Sequence, residues 1–199
     1  YLVTRWHMYE SVYFHKLSML TSVYYVRALA RARELHEEGS LPLSLKMRDL
    51  LSNRTLTPYR YSQLTDSFVI ADVFQWADHG DEILSGYAKR LSSRAVFHKQ
   101  LRNMLNPQQV DELWSGLKEI VEGAGFDGYH DLISAPLRKE GYLPYQEGIS
   151  LDDGRDISEV SPLIRSISGE FSRSMVFVTA EGRQQCEEYV GGQISSISQ

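Results

Sequence analysis

Arg5, Tyr9, Tyr13, His15 and Lys16 crowd into the start of the 199-residue chain. The planar fork of a guanidinium suits phosphate or carboxylate. Phenols one helical turn apart can stack on a ligand or hydrogen-bond to it. At roughly 100° per residue, Arg5, Tyr9, Tyr13 and Lys16 fall within a stripe about 80° wide, together with Leu2 and Leu20. The opposite side carries Thr4, His7, Ser11, Ser18 and Ser22. This pattern predicts two cations on the apolar, inward side of a helix. A buried cation must be compensated, and two readings stand open. Arg5 and Lys16 snorkel or meet a carboxylate from another helix. Alternatively they await an anion such as a phosphate, with the tyrosines as walls.

Other chemistry-bearing residues are less organised. His130-Asp131 has His79 and His98 upstream and Asp152, Asp153 and Asp156 downstream. Such a set can share a divalent metal only where the backbone makes it converge. FDGYHDLISAP reads as a strand with loops at both ends, so the dipeptide is set aside as a metal site. His79 and Asp81 flank Gly80 in an interhelical turn, where Asp81 reads as a helix cap. Arg54 and Arg60 fall in a stretch read as an ordered loop, residues 53–63; they could reach an anion, although loop cations are ordinarily solvated. Cys186, beside Glu187 and Glu188, is disfavoured as a thiolate. The sequence holds no G-x-S-x-G elbow, no G-x-x-x-x-G-K-(S/T) loop and no G-x-G-x-x-G.

The elements that must position these residues are mostly helical. Residues 1–38 lack Gly and Pro and carry apolar side chains at helical spacing, which predicts one long helix ending near Gly39. Further helices are expected over 44–51 with Ser44 as cap, from Thr65 or Asp66 to Trp76, from Asp81 to Ser92, and from Asn106-Pro107 to Gly123. After Gly125 the composition changes. Strands are expected over 129–134, 142–150 and 175–179, with a tight turn at Asp152-Asp153-Gly154 and a hairpin beside it. A capped turn is expected at Ser161-Pro162, a last helix over 181–190 and a fraying tail over 191–199. The predicted class is mainly α with a C-terminal α+β subdomain, divided into a helical part over 1–94 and an α+β part over 95–199.

Apolar residues make up 42% and charged residues 24% of the chain, the proportions of a folded globular protein. The net charge of −5 argues against general nucleic-acid binding. One cysteine excludes a disulfide within the chain and a cysteine-based zinc site, and fits a reducing, cytoplasmic location. No apolar run is long enough to span a membrane.

The run R-x-x-x-Y-x-x-x-Y-F-H-K, Arg5 to Lys16, resembles a helix of the HD-superfamily deoxynucleoside triphosphate triphosphohydrolases. That helix has the form R-x-x-(M/H)-(Y/H)-x-x-(V/A)-Y-x-H-K and follows the last metal-binding aspartate. A second block, LTDSFVIADVFQWADHGDEILSGYAKRLSSRAVFHKQL over 64–101, resembles the family's later acidic helix start and its R-x-(L/V)-F-K ending. The resemblance implies that the chain is the C-terminal part of a longer, cytoplasmic, homo-oligomeric phosphohydrolase, completing the HD-domain bundle. It implies a divalent metal whose ligands, an H…HD…D series, precede Tyr1, so that the chain itself holds no metal ligand and is inactive alone. A nucleotide is the implied substrate. Arg5 is similar to the arginine that binds the substrate phosphates, and Tyr13 to the tyrosine lining the deoxyribose pocket. Tyr9 stands where better-known members have an assisting histidine, and Phe14 where a glutamine helps read the base. A tyrosine can hydrogen-bond there, but its pKa makes it a poor proton relay near neutral pH. These two departures leave room for a different nucleotide. His15 and Lys16 correspond to a pair near a nucleotide effector site. The alternative to the enzymatic reading is a non-catalytic helical interaction or regulatory module.

Overall fold

The leading segment is not one helix. In the structure, a computed structural model that describes residues 1–52, 54–93, 97–140, 144 and 148–197, α1 (Leu2–Met8) passes into a π-helical turn, Tyr9–Tyr13. There the Phe14 N–H donates to the Tyr9 carbonyl over five residues at 2.8 Å. Phe14, at φ −92° and ψ 14°, ends the turn. The His15 ring Nδ1 then accepts from the Leu17 N–H at 3.3 Å, and α2 (Lys16–Glu37) begins. A π turn carries an extra residue, so it shifts every later side chain by about 100° relative to an unbroken α-helix. Apolar spacing does not report the ring size of backbone hydrogen bonds, which is why the sequence pattern missed it. Gly39, at φ +78°, ends α2 as expected: the Leu35 carbonyl accepts from Ser40 and Leu41 at 2.8 and 3.1 Å.

The chain divides into two units, Tyr1–Leu20 with His98–Gln199, and Thr21–Phe97. The division expected between 94 and 95 falls on residues outside those described.

The Thr21–Phe97 unit is helical: most of α2, then α3 (Leu45–Leu51), α4 (Pro58–Ser62), α5 (Asp66–Gln75), a 3₁₀ turn at Trp76–Asp78 and α6 (Glu82–Ser92). Along α2, Tyr24, Ala28, Ala32 and Leu35 are buried at four- and three-residue spacing. Ser44 caps α3, its Oγ accepting from Met47 at 3.1 Å, and Asp81 caps α6, accepting from Leu84 at 2.8 Å. Helix α4 corrects the loop expected over 53–63. Thr57 accepts from the Arg60 N–H at 3.3 Å and Pro58 occupies the first helical position. That cap-and-proline pair is a helix-start signal, which the polar composition had masked.

In the other unit, β1 (His98–Gln100), β3 (Glu170–Thr179) and β2 (Leu132–Glu140) form an antiparallel sheet in the order β1-β3-β2. His98 pairs with Thr179, and Leu132 with Val178. Residues 174–179 of the central strand are buried without alternation, as a strand covered on both faces should be. Helix α7 (Pro107–Gly123) opens on a reciprocal Asn106–Gln109 capping box. It packs Leu113, Leu117 and Val121 against Leu132, Val176 and Val178, and against Cys186 and Val190 of α10 (Arg183–Ile197). The tail expected over 191–199 is instead helical to Ile197. Ile194, one turn beyond Val190, packs partly buried against the same core, which holds the helix through Gly191 and Gly192 despite their low helix propensity.

Two short helices, α8 (Ile157–Val160) and α9 (Pro162–Ser166), follow the Gly154 turn, where Ser150 and Asp156 bridge antiparallel. Leu2, Val3 and Trp6 of α1 pack on Ile164 and Ile167. The strand expected over 142–150 lies largely outside the described residues. The class expected from sequence, mainly α with a small α+β part, is what the chain adopts.

Candidate functional site

Helix α1 and the π turn bring Arg5, Tyr9 and Tyr13 into one strip at the surface. The Arg5 guanidinium carbon lies 5.8 Å from the centroid of the Tyr9 ring. The Tyr9 and Tyr13 rings are 5.0 Å apart and tilted by 36°. Tyr9 also meets Phe14 at 6.0 Å, and Phe14 stacks on Phe171 of β3 at 6.4 Å. Arg173, two residues along β3, places its guanidinium 5.7 Å from the Phe171 ring centroid. The result is a row of aromatic rings with a cation at each end, a surface able to receive a planar or anionic group. Hydrogen bonding to Tyr9, then electrostatic interaction with Tyr1, raises the Arg5 pKa above its ordinary value; a guanidinium is charged at any working pH. Phe171 and Arg173 could not be found from sequence spacing. They reach Phe14 only because residues 1–20 fold into the same unit as β3.

The expectation of inward-facing cations is overturned. Arg5 and Lys16 are exposed, Tyr13 is 53% exposed, and Tyr9 is half-buried. The apolar work at this end is done by Leu2, Val3 and Trp6, which lie on the side of α1 that meets α9. His15 and Lys16 stand at the break before α2, both exposed, with His15 acting as a local cap.

Residues 127–131 turn ahead of β2, correcting the strand expected to begin at 129. Asp127 accepts from the Tyr129 and His130 N–H groups at 2.8 and 2.7 Å. These bonds, His130 first, hold its carboxyl below the usual carboxylate range. Asp131 instead faces His98, whose buried ring Nε2 lies 3.4 Å from its carboxylate. Asp81 accepts from Arg31 and from its own helix, and the His79 ring accepts from the Asp81 N–H at 3.1 Å. Among the described residues, no three His, Cys, Asp or Glu side chains converge in a way that could hold a metal ion.

Two clefts lie elsewhere. One of about 620 Å³ is flanked by Arg102, Arg183 and Glu187, already linked by ion pairs at 2.8–3.1 Å. The other, of about 480 Å³, is lined by arginines of α2, α3 and the α4 region.

No family model matches the chain. A curated relative, the uncharacterized protein YwfO of Bacillus subtilis (strain 168), is 28% identical over 182 residues, which are 85% of this chain and 41% of that protein. Among solved structures, a phosphohydrolase from Bacteroides thetaiotaomicron superposes with a TM-score of 0.63 at 23% identity, over 89% of this chain and 48% of that one. A hypothetical protein from Aquifex aeolicus superposes with a TM-score of 0.59 at 22% identity, over 95% and 43%. The chain thus spans less than half the length of each of these proteins, and its fold is similar to that of a phosphohydrolase.

Proposed function

We propose that this chain is the C-terminal portion of a metal-dependent HD-domain phosphohydrolase that acts on nucleotides. The observation that carries the reading is the likeness of its fold, over 89% of the chain, to a phosphohydrolase about twice as long. In this reading Arg5 clamps the substrate phosphate through its fork. Tyr9 hydrogen-bonds beside it and Tyr13 walls the sugar. His15 and Lys16 stand near an effector nucleotide, and the later helices make contacts between copies of a homo-oligomer. The divalent metal is held by residues outside these 199, so the chain alone is inactive. Arg5 and Tyr9 are already in register with each other, which suits a site completed by the rest of the protein.

The test is nucleotide hydrolysis by the longer protein. Arg5→Ala is expected to lower kcat/KM by roughly ten- to hundredfold, the size of one lost hydrogen bond between charged groups. Unchanged turnover, or metal-dependent hydrolysis by residues 1–199 alone, would refute this assignment. An intact fold with no activity to lose would favour the rival reading, a helical interaction module. The exposed Tyr13, Val12 and Leu17 side chains are its motivation.

A further inference from the structure

The second cleft differs from the strip on α1 in every residue. It lies wholly within the Thr21–Phe97 unit and has a volume of about 480 Å³. Arg33 comes from α2, Arg48 from α3, Arg54 from the connection after α3, and Arg60 from α4. Arg60 is occupied: Asp49 accepts from its Nε and Nη2 at 2.8 and 2.6 Å. Arg33, Arg48 and Arg54 have no side-chain hydrogen bond or ion pair among the described residues. Glu37 is the other acidic side chain on the wall.

In a chain of net charge −5, four arginines thus line one cleft with two carboxylates, Glu37 and Asp49. Like charges held together cost stability, and three unpartnered arginines return none of it through internal bonds. Their forks match phosphate oxygens in pairs, a geometry lysine cannot supply. Leu43, Leu51 and Leu56 give the same cleft an apolar floor. A cleft of this size with an apolar floor and a few convergent polar groups fits a small molecule.

We propose that this cleft binds a small phosphorylated ligand carrying at least two negative charges. Arg33, Arg48 and Arg54 take the phosphoryl oxygens. Arg60, pinned by Asp49, fixes the far wall, and the leucines cover the less polar part of the ligand.

The experiment is isothermal titration calorimetry of the chain with inorganic tripolyphosphate, with citrate as the carboxylate comparison. One site is expected, with a dissociation constant of about 1 mM or tighter, weakening as salt is added. The Arg48→Ala/Arg54→Ala variant should bind roughly tenfold or more weakly, the size of one charge-assisted hydrogen bond. Lys118→Ala, on the exposed face of α7, should bind as the parent does. Should the alanine variant not fold by circular dichroism, Arg48→Lys/Arg54→Lys keeps the charge and removes the forks, and a several-fold loss is again expected. No binding, binding unchanged in the fork-deleted protein, an equal loss in Lys118→Ala, or citrate binding as tightly as tripolyphosphate would each overturn the proposal. None of these results bears on Arg5, so the cleft and the α1 strip stand or fall separately.

Discussion

Replacing Asp81 separates a charge effect from a capping effect within one carboxylate. Its Oδ1 accepts from the Leu84 N–H at 2.8 Å and from Arg31 Nε at 3.3 Å, while Oδ2 accepts from Arg31 Nη2 at 2.7 Å. The side chain is 17% exposed and that of Arg31 25%, so solvent screens the pair only in part. Losing the cap costs about 1 kcal/mol, and losing a partly buried charged pair about another 1 kcal/mol. Asp81→Ala should therefore destabilise by about 2 kcal/mol, lowering the Tm by about 4–8 °C for a chain of this length. Asp81→Asn keeps an acceptor for Leu84 and loses the charge, so about half that shift is expected. The sign of the pH effect follows. Arg31 first, and then the Leu84 N–H, hold the Asp81 carboxyl below its ordinary value of 3.8. The bonus is present above that unfolded-state value and is lost as pH falls through the lower folded value. Thermal melts from pH 7 down to pH 2 should show a steeper acid decline in the parent than in Asp81→Asn. Equal Tm losses for the alanine and asparagine variants, or parallel acid limbs, would refute the division of roles.

Cys186 should resist alkylation at pH 8 in the native protein and react promptly in denaturant. Burial pushes its thiol up to about 11, and its side chain sits in the α7–α10 core. Gly116→Ala should lower the Tm measurably, since the Tyr189 ring of α10 fills the space a Cβ would need. Gly116→Ala/Tyr189→Leu should recover most of that loss, and failure to do so would mean that the backbone rather than the ring is the constraint.

What the sequence made legible was local. Ser44, Asp81, Asn106-Pro107, Gly39 and Ser161 each mark a helix end through a side chain that bonds within three residues, or through a backbone angle only glycine adopts easily. The face of α7 was legible for the same reason, because its period is fixed by one helix. The illegible parts were those that depend on distant chain. Phe171 and Arg173 reach the α1 strip across more than 150 positions of sequence. The Arg33, Arg48, Arg54 and Arg60 grouping needs α4, which composition disguised as loop. The helix through Gly191 and Gly192 needs the α7 core to hold Ile194. A second kind of error came from phase. The stripe from Arg5 to Lys16 assumes α-helical rotation throughout, and the π turn removes that assumption in its middle.

An exposed Arg5 makes a cleaner test than a buried one would. Had Arg5 faced the core, its removal would have left a cavity or an orphaned carboxylate, and lost turnover could not be told from lost folding. Instead the packing of α1 rests on Leu2, Val3 and Trp6 against α9, residues on a different side of the helix. Arg5 contributes a cation over the Tyr9 ring at an exposed surface, where such contacts add little to stability. The π turn keeps Tyr9 and Tyr13 ring to ring beside it, and begins Lys16 on a new helix. Short π turns recur at functional sites, since they trade helical regularity for the placement of particular side chains. Arg5 takes no part in the packing of α1 against α9, so a change in turnover on Arg5→Ala reports on ligand contact and not on the scaffold.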